Sequence, residues 1–122
     1  VLITNDIWLG TGHLPDITVA KPIFRQGRLV AFSASTAHAP DIGGKIRSPE
    51  PREVFEEGFQ IPPLRLMRAG VADETLVALL RQNVRTPDQT LGDLWAQVVA
   101  LDLMEDRLLA LMAGYGLPDL TD

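Results

Sequence analysis

Both histidines of this chain begin the same tetrapeptide pattern, His13-Leu14-Pro15-Asp16 and His38-Ala39-Pro40-Asp41. The sequence contains two histidines, so every imidazole is followed three residues later by a carboxylate, behind a proline. Imidazole and carboxylate together form the mixed ligand set used for Zn, Mn and Fe. Proline fixes φ of one residue and restricts the residue before it, so the two side chains lose fewer relative orientations when they converge. His13, Asp16 and His38 are therefore the leading candidates for metal ligands. The plainer alternative is a structural histidine and a turn-forming aspartate in each tetrapeptide, since His-x-x-Asp is a short and common string.

Other residues carry weaker signals. Asp41 opens Asp41-Ile42-Gly43-Gly44; it fits a ligand, a carboxylate orienting His38, or an Asx-type turn, and the last two are favoured. Asp6 follows the first apolar run and fits a further carboxylate of the site or a turn residue. Gly10-Thr11-Gly12 allows close backbone approach to a ligand but is too short and irregular for a phosphate loop. Glu56-Glu57-Gly58 offers an acid or base, against the commoner reading of a solvated acidic face. Trp8 and Trp95 fit a pocket lining, although Trp95 lies on a helical apolar stripe and reads as core. Ser33, Ser35 and Thr36 lack the spacing of a nucleophile elbow.

The elements that must position these groups are β-rich at first. Residues 1–4 form a short apolar strand, followed by loop signals at Asn5-Asp6 and Gly10-Thr11-Gly12. Residues 17–24 and 28–37 are rich in apolar and β-branched residues and flank Gln26-Gly27, a two-residue hairpin turn. Pro22 places the first of these strands at an edge or a bulge. With Arg25 opposite Arg28, counting outward sets Asp16 opposite Ala37 and Pro15 opposite His38. His13, Asp16 and His38 then converge at the open end of one hairpin, where opposed residues sit about 5 Å apart. A slip of one residue keeps the convergence but turns side chains to the other face.

Residues 45–72 contain Pro49, Pro51, Pro62 and Pro63 and read as an irregular connection with one helical turn near Val54-Phe55. Residues 73–116 read as helical. Asp73 is an N-cap before Leu76, Val77, Leu79 and Leu80. Thr86 caps a second helix, with Pro87 as its first residue and Gln89 closing a capping box. Apolar residues at 91, 94, 95, 98, 101, 108, 109 and 112 form its core-facing stripe, and Gly114 or Gly116 stops it. The fold class is α+β: a β-rich segment 1–44 bearing the metal site, the Pro-rich connection, then two C-terminal helices.

Composition narrows the class. The 122 residues suit one modest domain, and 46% hydrophobic content suits a packed core. A net charge of −5 with no basic run weighs against a nucleic-acid partner. No apolar run approaches the roughly 20 residues that span a bilayer, and no secretory signal is visible. With no cysteine, disulfides and thiolate chemistry are excluded, and a cytoplasmic setting is expected. The chain opens on Val1 inside a strand-like run, as expected for a piece of a longer protein.

Several stretches together resemble the hydantoinase B/oxoprolinase family. They are Thr4-Asn5-Asp6, Gly10 to Ile17, Ala37 to Gly44, Glu57-Gly58-Phe59-Gln60-Ile61-Pro62-Pro63, Asn83-Val84-Arg85-Thr86-Pro87 and Gly92-Asp93-Leu94. They occur in order along nearly the whole chain at compatible spacing. The resemblance implies a B-type subunit of an ATP-dependent N-methylhydantoinase or 5-oxoprolinase, or the matching subunit of an acetone or acetophenone carboxylase. Such subunits are several times longer and work with an A-type partner that handles ATP and phosphorylates the substrate. It also implies a divalent ion, Mn or Zn, with His13, Asp16 and His38 at three ligand positions and further carboxylate ligands upstream. Two departures stand out: Ile7 replaces a proline after Asn5-Asp6, and Ala39 replaces a second histidine after His38. The expected function is ATP-driven hydrolysis of a cyclic amide within a larger complex, with the isolated chain catalytically silent. A carboxylase subunit and a non-catalytic interaction domain are the alternatives.

Overall fold

The computed structural model describes residues 1–45 and 48–120. Nine elements follow in order: β1 (Leu2–Thr4), β2 (Asp16–Arg25), β3 (Arg28–His38), α1 (Val54–Glu57), β4 (Leu64–Arg65), β5 (Met67–Arg68), β6 (Val71–Ala72), α2 (Glu74–Asn83) and α3 (Pro87–Gly114). The main sheet has the order β3-β2-β1-β4, antiparallel throughout, and β5-β6 form a separate small hairpin.

The long hairpin turns at Gln26-Gly27, where both residues take positive φ (51° and 79°), the twist-matched two-residue turn. Arg25 pairs with Arg28 as expected. The register then departs from the sequence count. A bulge between Ile23 and Phe24 leaves Val30 unpaired, so Ile23 faces Ala31 and Asp16 faces His38, not Ala37. One extra residue in β3 reverses the face of everything beyond it. Without the bulge, Asp16 and His38 would point to opposite sides of the sheet; with it they form a direct cross-strand pair. Pro22 is tolerated because it lies beyond the end of β1, whose last partner on β2 is Ala20.

Alternation along β2 assigns its two faces. Ile17, Val19 and Ile23 are buried on the side where α3 packs across β2 and β3. Leu91, Leu94, Val98 and Leu101 of α3 join Ile3, Ile17 and Val19 in one apolar cluster that also takes in Leu76 and Leu80 of α2. Each such fully buried aliphatic side chain contributes about 1.5–3 kcal/mol of transfer free energy. Gln97, buried in this layer, donates to the Ile17 carbonyl at 3.1 Å and to the Ser35 carbonyl at 3.3 Å. At the far end Lys21 reaches Asp102 and Glu105, both at 2.5 Å. Burial pushes the Lys21 ammonium down, but those two carboxylates outweigh it and raise it. Asp16, Thr18, Thr36 and His38 occupy the opposite face, where the Thr18 and Thr36 hydroxyls meet at 2.9 Å.

The helical half follows the sequence expectation closely. Asp73 accepts from the Leu76 N–H at 2.9 Å, a side-chain N-cap. Residue 87 begins α3, but Thr86 makes no side-chain cap hydrogen bond. At φ −120° and ψ 64° it lies outside the extended geometry that aims a capping oxygen at the first turn. At the other end Leu117 N–H donates to Met112 O and Gly116 N–H to Ala113 O, with Gly116 at φ 66°, a Schellman stop. The connection 45–72 is more structured than expected. Its expected helical turn is α1, and it adds the two-residue strands β4, paired with β1, and β5 and β6, paired with each other. None of the helices among the described residues is long and apolar enough to cross a membrane.

Candidate metal centre

The bulged register brings the leading candidates together. Asp16 lies between the two imidazoles and offers each a separate oxygen. Its Oδ1 is 3.2 Å from His38 Nδ1 and its Oδ2 is 3.4 Å from His13 Nε2. The two rings meet edge to face, centroids 5.4 Å apart at 65°. One ligand atom from each residue can be chosen so that all three lie within 4.8 Å of one another. Donors bound about 2.1 Å from one ion stand roughly 3.0–3.4 Å apart, so the two His–Asp spacings suit shared coordination. A ring nitrogen that holds its proton donates to Asp16; the same nitrogen deprotonated is a ligand. His13 and His38 are 49% and 41% exposed and Asp16 20%, so solvent and ligands reach the cluster. Two imidazoles and one carboxylate fit Zn, Mn or Fe and leave coordination positions open.

The cluster borders a cleft of about 300 Å³ lined also by Lys45 and Glu57. Pro15, Pro49 and Pro51 supply apolar lining. The cleft exists because two loop segments approach closely. Gly43 bridges Gly58, the Phe59 N–H donates to Ile42 O at 2.7 Å, and the Lys45 N–H donates to Glu56 O at 2.9 Å. A Cβ on Gly44 would stand 2.2 Å from the Glu57 carbonyl carbon, so only glycine permits this packing.

Asp41 anchors the same segment. Its Oδ1 accepts from the Gly43 N–H at 3.0 Å and from Arg85 Nη1 at 2.7 Å, while Oδ2 accepts from the Arg85 N–H. Arg85 Nη2 also donates to the Gly43 and Gly44 carbonyls at 2.8 and 2.9 Å. Burial pushes the Asp41 carboxyl up, but the Gly43 and Arg85 N–H groups and the Arg85 guanidinium outweigh it and hold it below the ordinary value. These partners are those of an Asx turn and a loop clamp; the carboxylate that meets His38 is that of Asp16.

The remaining candidates are placed as follows. Asp6 accepts from the Trp8 N–H at 2.8 Å and closes a turn onto Gly10; it lies outside the three-residue cluster. Trp8 is exposed, and Trp95 packs half-buried against the core. Ser35 Oγ contacts Gln97, and Ser33 is buried. The cleft position of Lys45 had no sequence signal. The clamp made by Asn5 had none either: its amide donates to Leu14 O and Phe59 O, both at 2.9 Å, and accepts from the Ile61 N–H at 2.6 Å. That buried residue ties the His13 loop to the segment that ends in the cleft.

The comparisons agree with one another. The beta subunit of a caprolactamase from Pseudomonas jessenii is 34% identical over 95% of this chain, which spans 20% of that subunit. The crystal structure of the ATP-dependent caprolactamase from Pseudomonas jessenii superposes with a TM-score of 0.85 at 34% identity, covering 94% of this chain and 21% of that one. The delta subunit of an acetophenone carboxylase from Aromatoleum aromaticum is 30% identical over 88% of this chain, which spans 16% of it. This chain spans between 6% and 22% of the length of curated relatives that it matches. The sequence profile described as Hydantoinase B/oxoprolinase matches residues 1–122, and the chain belongs to that family.

Proposed function

We propose that this chain is the metal-holding segment of a B-type subunit in an ATP-dependent cyclic amide hydrolase. The observation that carries the reading is the meeting of His13, Asp16 and His38 beside a cleft, in a chain of the hydantoinase B/oxoprolinase family. A ring amide resists hydrolysis because its carbonyl is a poor electrophile and its nitrogen a poor leaving group. Phosphoryl transfer to the carbonyl oxygen removes the first obstacle, and an A-type partner subunit handles the ATP for that step. His13, Asp16 and His38 hold a divalent ion, Mn or Zn, with carboxylates elsewhere in the protein completing the set. Bound there, the ion supplies Lewis acidity toward a carbonyl or acyl oxygen. Asp41, through Arg85 and the two glycines, fixes the segment that follows His38 and so the mouth of the cleft.

The test is turnover by the full chain with its A-type partner, given ATP and a panel of hydantoin, 5-oxoproline and caprolactam. ATP-dependent ring opening that is lost in His13→Ala and His38→Ala supports the reading. A metal-loaded complex that opens none of these rings rejects it. The likeness to the acetophenone carboxylase subunit favours one second reading, ATP-dependent carboxylation of a ketone. Consumption of bicarbonate with a ketone, and not of the ring amides, would establish that branch.

A further inference from the structure

Glu56 and Glu57 are neighbours with different surroundings. Glu56 is exposed, and its Oε2 accepts from the Arg52 N–H at 3.0 Å. Glu57 is half-buried and lines the cleft with His13 and His38. Among the described residues its carboxylate has no hydrogen-bond or ion-pair partner. Lys45, the cation of the same cleft, is paired with Glu50 at 3.3 Å. Glu57 also stands outside the cluster whose ligand atoms gather within 4.8 Å, so it is placed beside the metal ligands and not among them. Its backbone is held firmly: the Glu57 carbonyl rests on Gly44, and a Cβ on the next residue, Gly58, would meet the Ile42 carbonyl at 2.6 Å. A half-buried acceptor that lines a cleft and bonds to no described protein group is free to accept from a ligand's donor.

We infer that Glu57 accepts the ring N–H of the cyclic amide and thereby selects for it. This rests on the ring-amide reading above. A small ring locks its amide cis, so N–H and C=O lie along the same edge of the molecule. With the carbonyl toward His13, Asp16 and His38, the N–H is presented to another part of the lining, where Glu57 is the carboxylate without a partner among the described residues. Pro15, Pro49 and Pro51 have no N–H to leave unpaired and suit the methylene edge of the ring. A cleft of about 300 Å³ is at the small end of the range for small-ligand sites. A ketone has no N–H, so the carboxylase branch would leave Glu57 unused. Glu57 is thus a specificity-determining, positioning residue.

The experiment uses the full chain loaded with Zn²⁺, with metal affinity measured first by calorimetry. Ligand-observed NMR then gives dissociation constants for caprolactam and N-methylcaprolactam. The wild type is expected to prefer caprolactam by about tenfold or more, the loss incurred when a site's acceptor faces a missing donor. Glu57→Leu should reduce the preference to within about twofold, and Glu56→Leu should keep it. Glu57→Gln, whose amide oxygen still accepts, should retain part of it, which a merely structural role would not explain. A wild type that binds both probes equally, or neither, overturns the inference, as does a folded Glu57→Leu that keeps the preference. Metal binding without the preference sinks this inference alone. A Glu57-dependent preference without metal binding sinks the metal reading and leaves this one standing.

Discussion

Replacing Asp41 by Asn tests whether the loop after His38 is held by a carboxylate clamp. Asp41 is 6% exposed and accepts from the Gly43 N–H, the Arg85 N–H and Arg85 Nη1, with the Thr86 N–H adding to them. Asparagine keeps the shape but has one acceptor oxygen and adds an NH₂. If its oxygen serves Gly43 and Nη1, its NH₂ opposes the Arg85 N–H. Hydrogen bonds to a charged acceptor are worth about 1.5–3 kcal/mol, and an unsatisfied buried donor costs about 1–3 kcal/mol. Arg85 is 63% exposed, so screening places the net loss near the low end, about 2 kcal/mol. For a chain of this length that is a fall in melting temperature of roughly 6–10 °C. The pH dependence gives a second reading. The folded-state pKa of Asp41 is depressed, so its contribution is complete above the unfolded value near 3.9 and is lost as pH falls through the folded value. The gap between wild type and Asp41→Asn should be flat from pH 7 to about 5 and close below about 4. Thermal melts of both proteins across that range decide the matter. A difference under about 2 °C at pH 7, or a gap that persists unchanged to pH 2, refutes the clamp.

Two further predictions concern how the site is assembled. Gly44→Ala forces a Cβ to within 2.2–2.4 Å of the Glu57 carbonyl and the Gly58 nitrogen, so overpacking should cost about 1–3 kcal/mol. Gly92→Ala, in α3 with nothing within 4 Å of the added Cβ, should instead stabilise by about 0.5–1 kcal/mol; melts that do not move in opposite directions contradict the packing account. Inserting one alanine between Ala34 and Ser35 adds a step to β3 beyond the bulge, pairs Asp16 with Ala37 and turns His38 to the α3 face. Metal affinity should fall by at least about tenfold while NMR contacts report the new register; unchanged affinity in the slipped hairpin would show that the Asp16–His38 pairing does not build the site.

What was legible in the sequence depended on local signals. Gln26-Gly27 declared the hairpin turn, Asp73 and Pro87 declared the helix starts, and the apolar spacing of α3 declared its buried face. The bulge was not legible, because Val30 carries no glycine, proline or polar signature that separates an extra residue from a paired one. The residue count therefore gave a register one step short, even though His13, Asp16 and His38 were rightly placed at the hairpin's open end. The two-residue strands β4–β6 were missed because they are too short to show alternation: β4 is ordered by Leu2 and Ile3, over 60 residues away, and β5 and β6 pair only with each other across the Ala69-Gly70 turn. Glu57 and Glu56 were indistinguishable as letters. Their separation arises from Gly44 and Gly58, whose close approach shapes the cleft only in three dimensions. Thr86 shows the converse, a good capping residue whose dihedral angles do not let it cap.

The central claim is that His13, Asp16 and His38 form one metal site, and calorimetric titration tests it most directly. Chelator-treated chain is titrated with Mn²⁺ and with Zn²⁺ beside the His13→Ala/His38→Ala double variant. The account predicts one ion per chain for the wild type, a stabilisation of about 2.7 kcal/mol at a hundredfold excess over the dissociation constant, and loss of both in the variant. A well-folded wild type that takes up neither ion, or a double variant that binds as the wild type does, would contradict it.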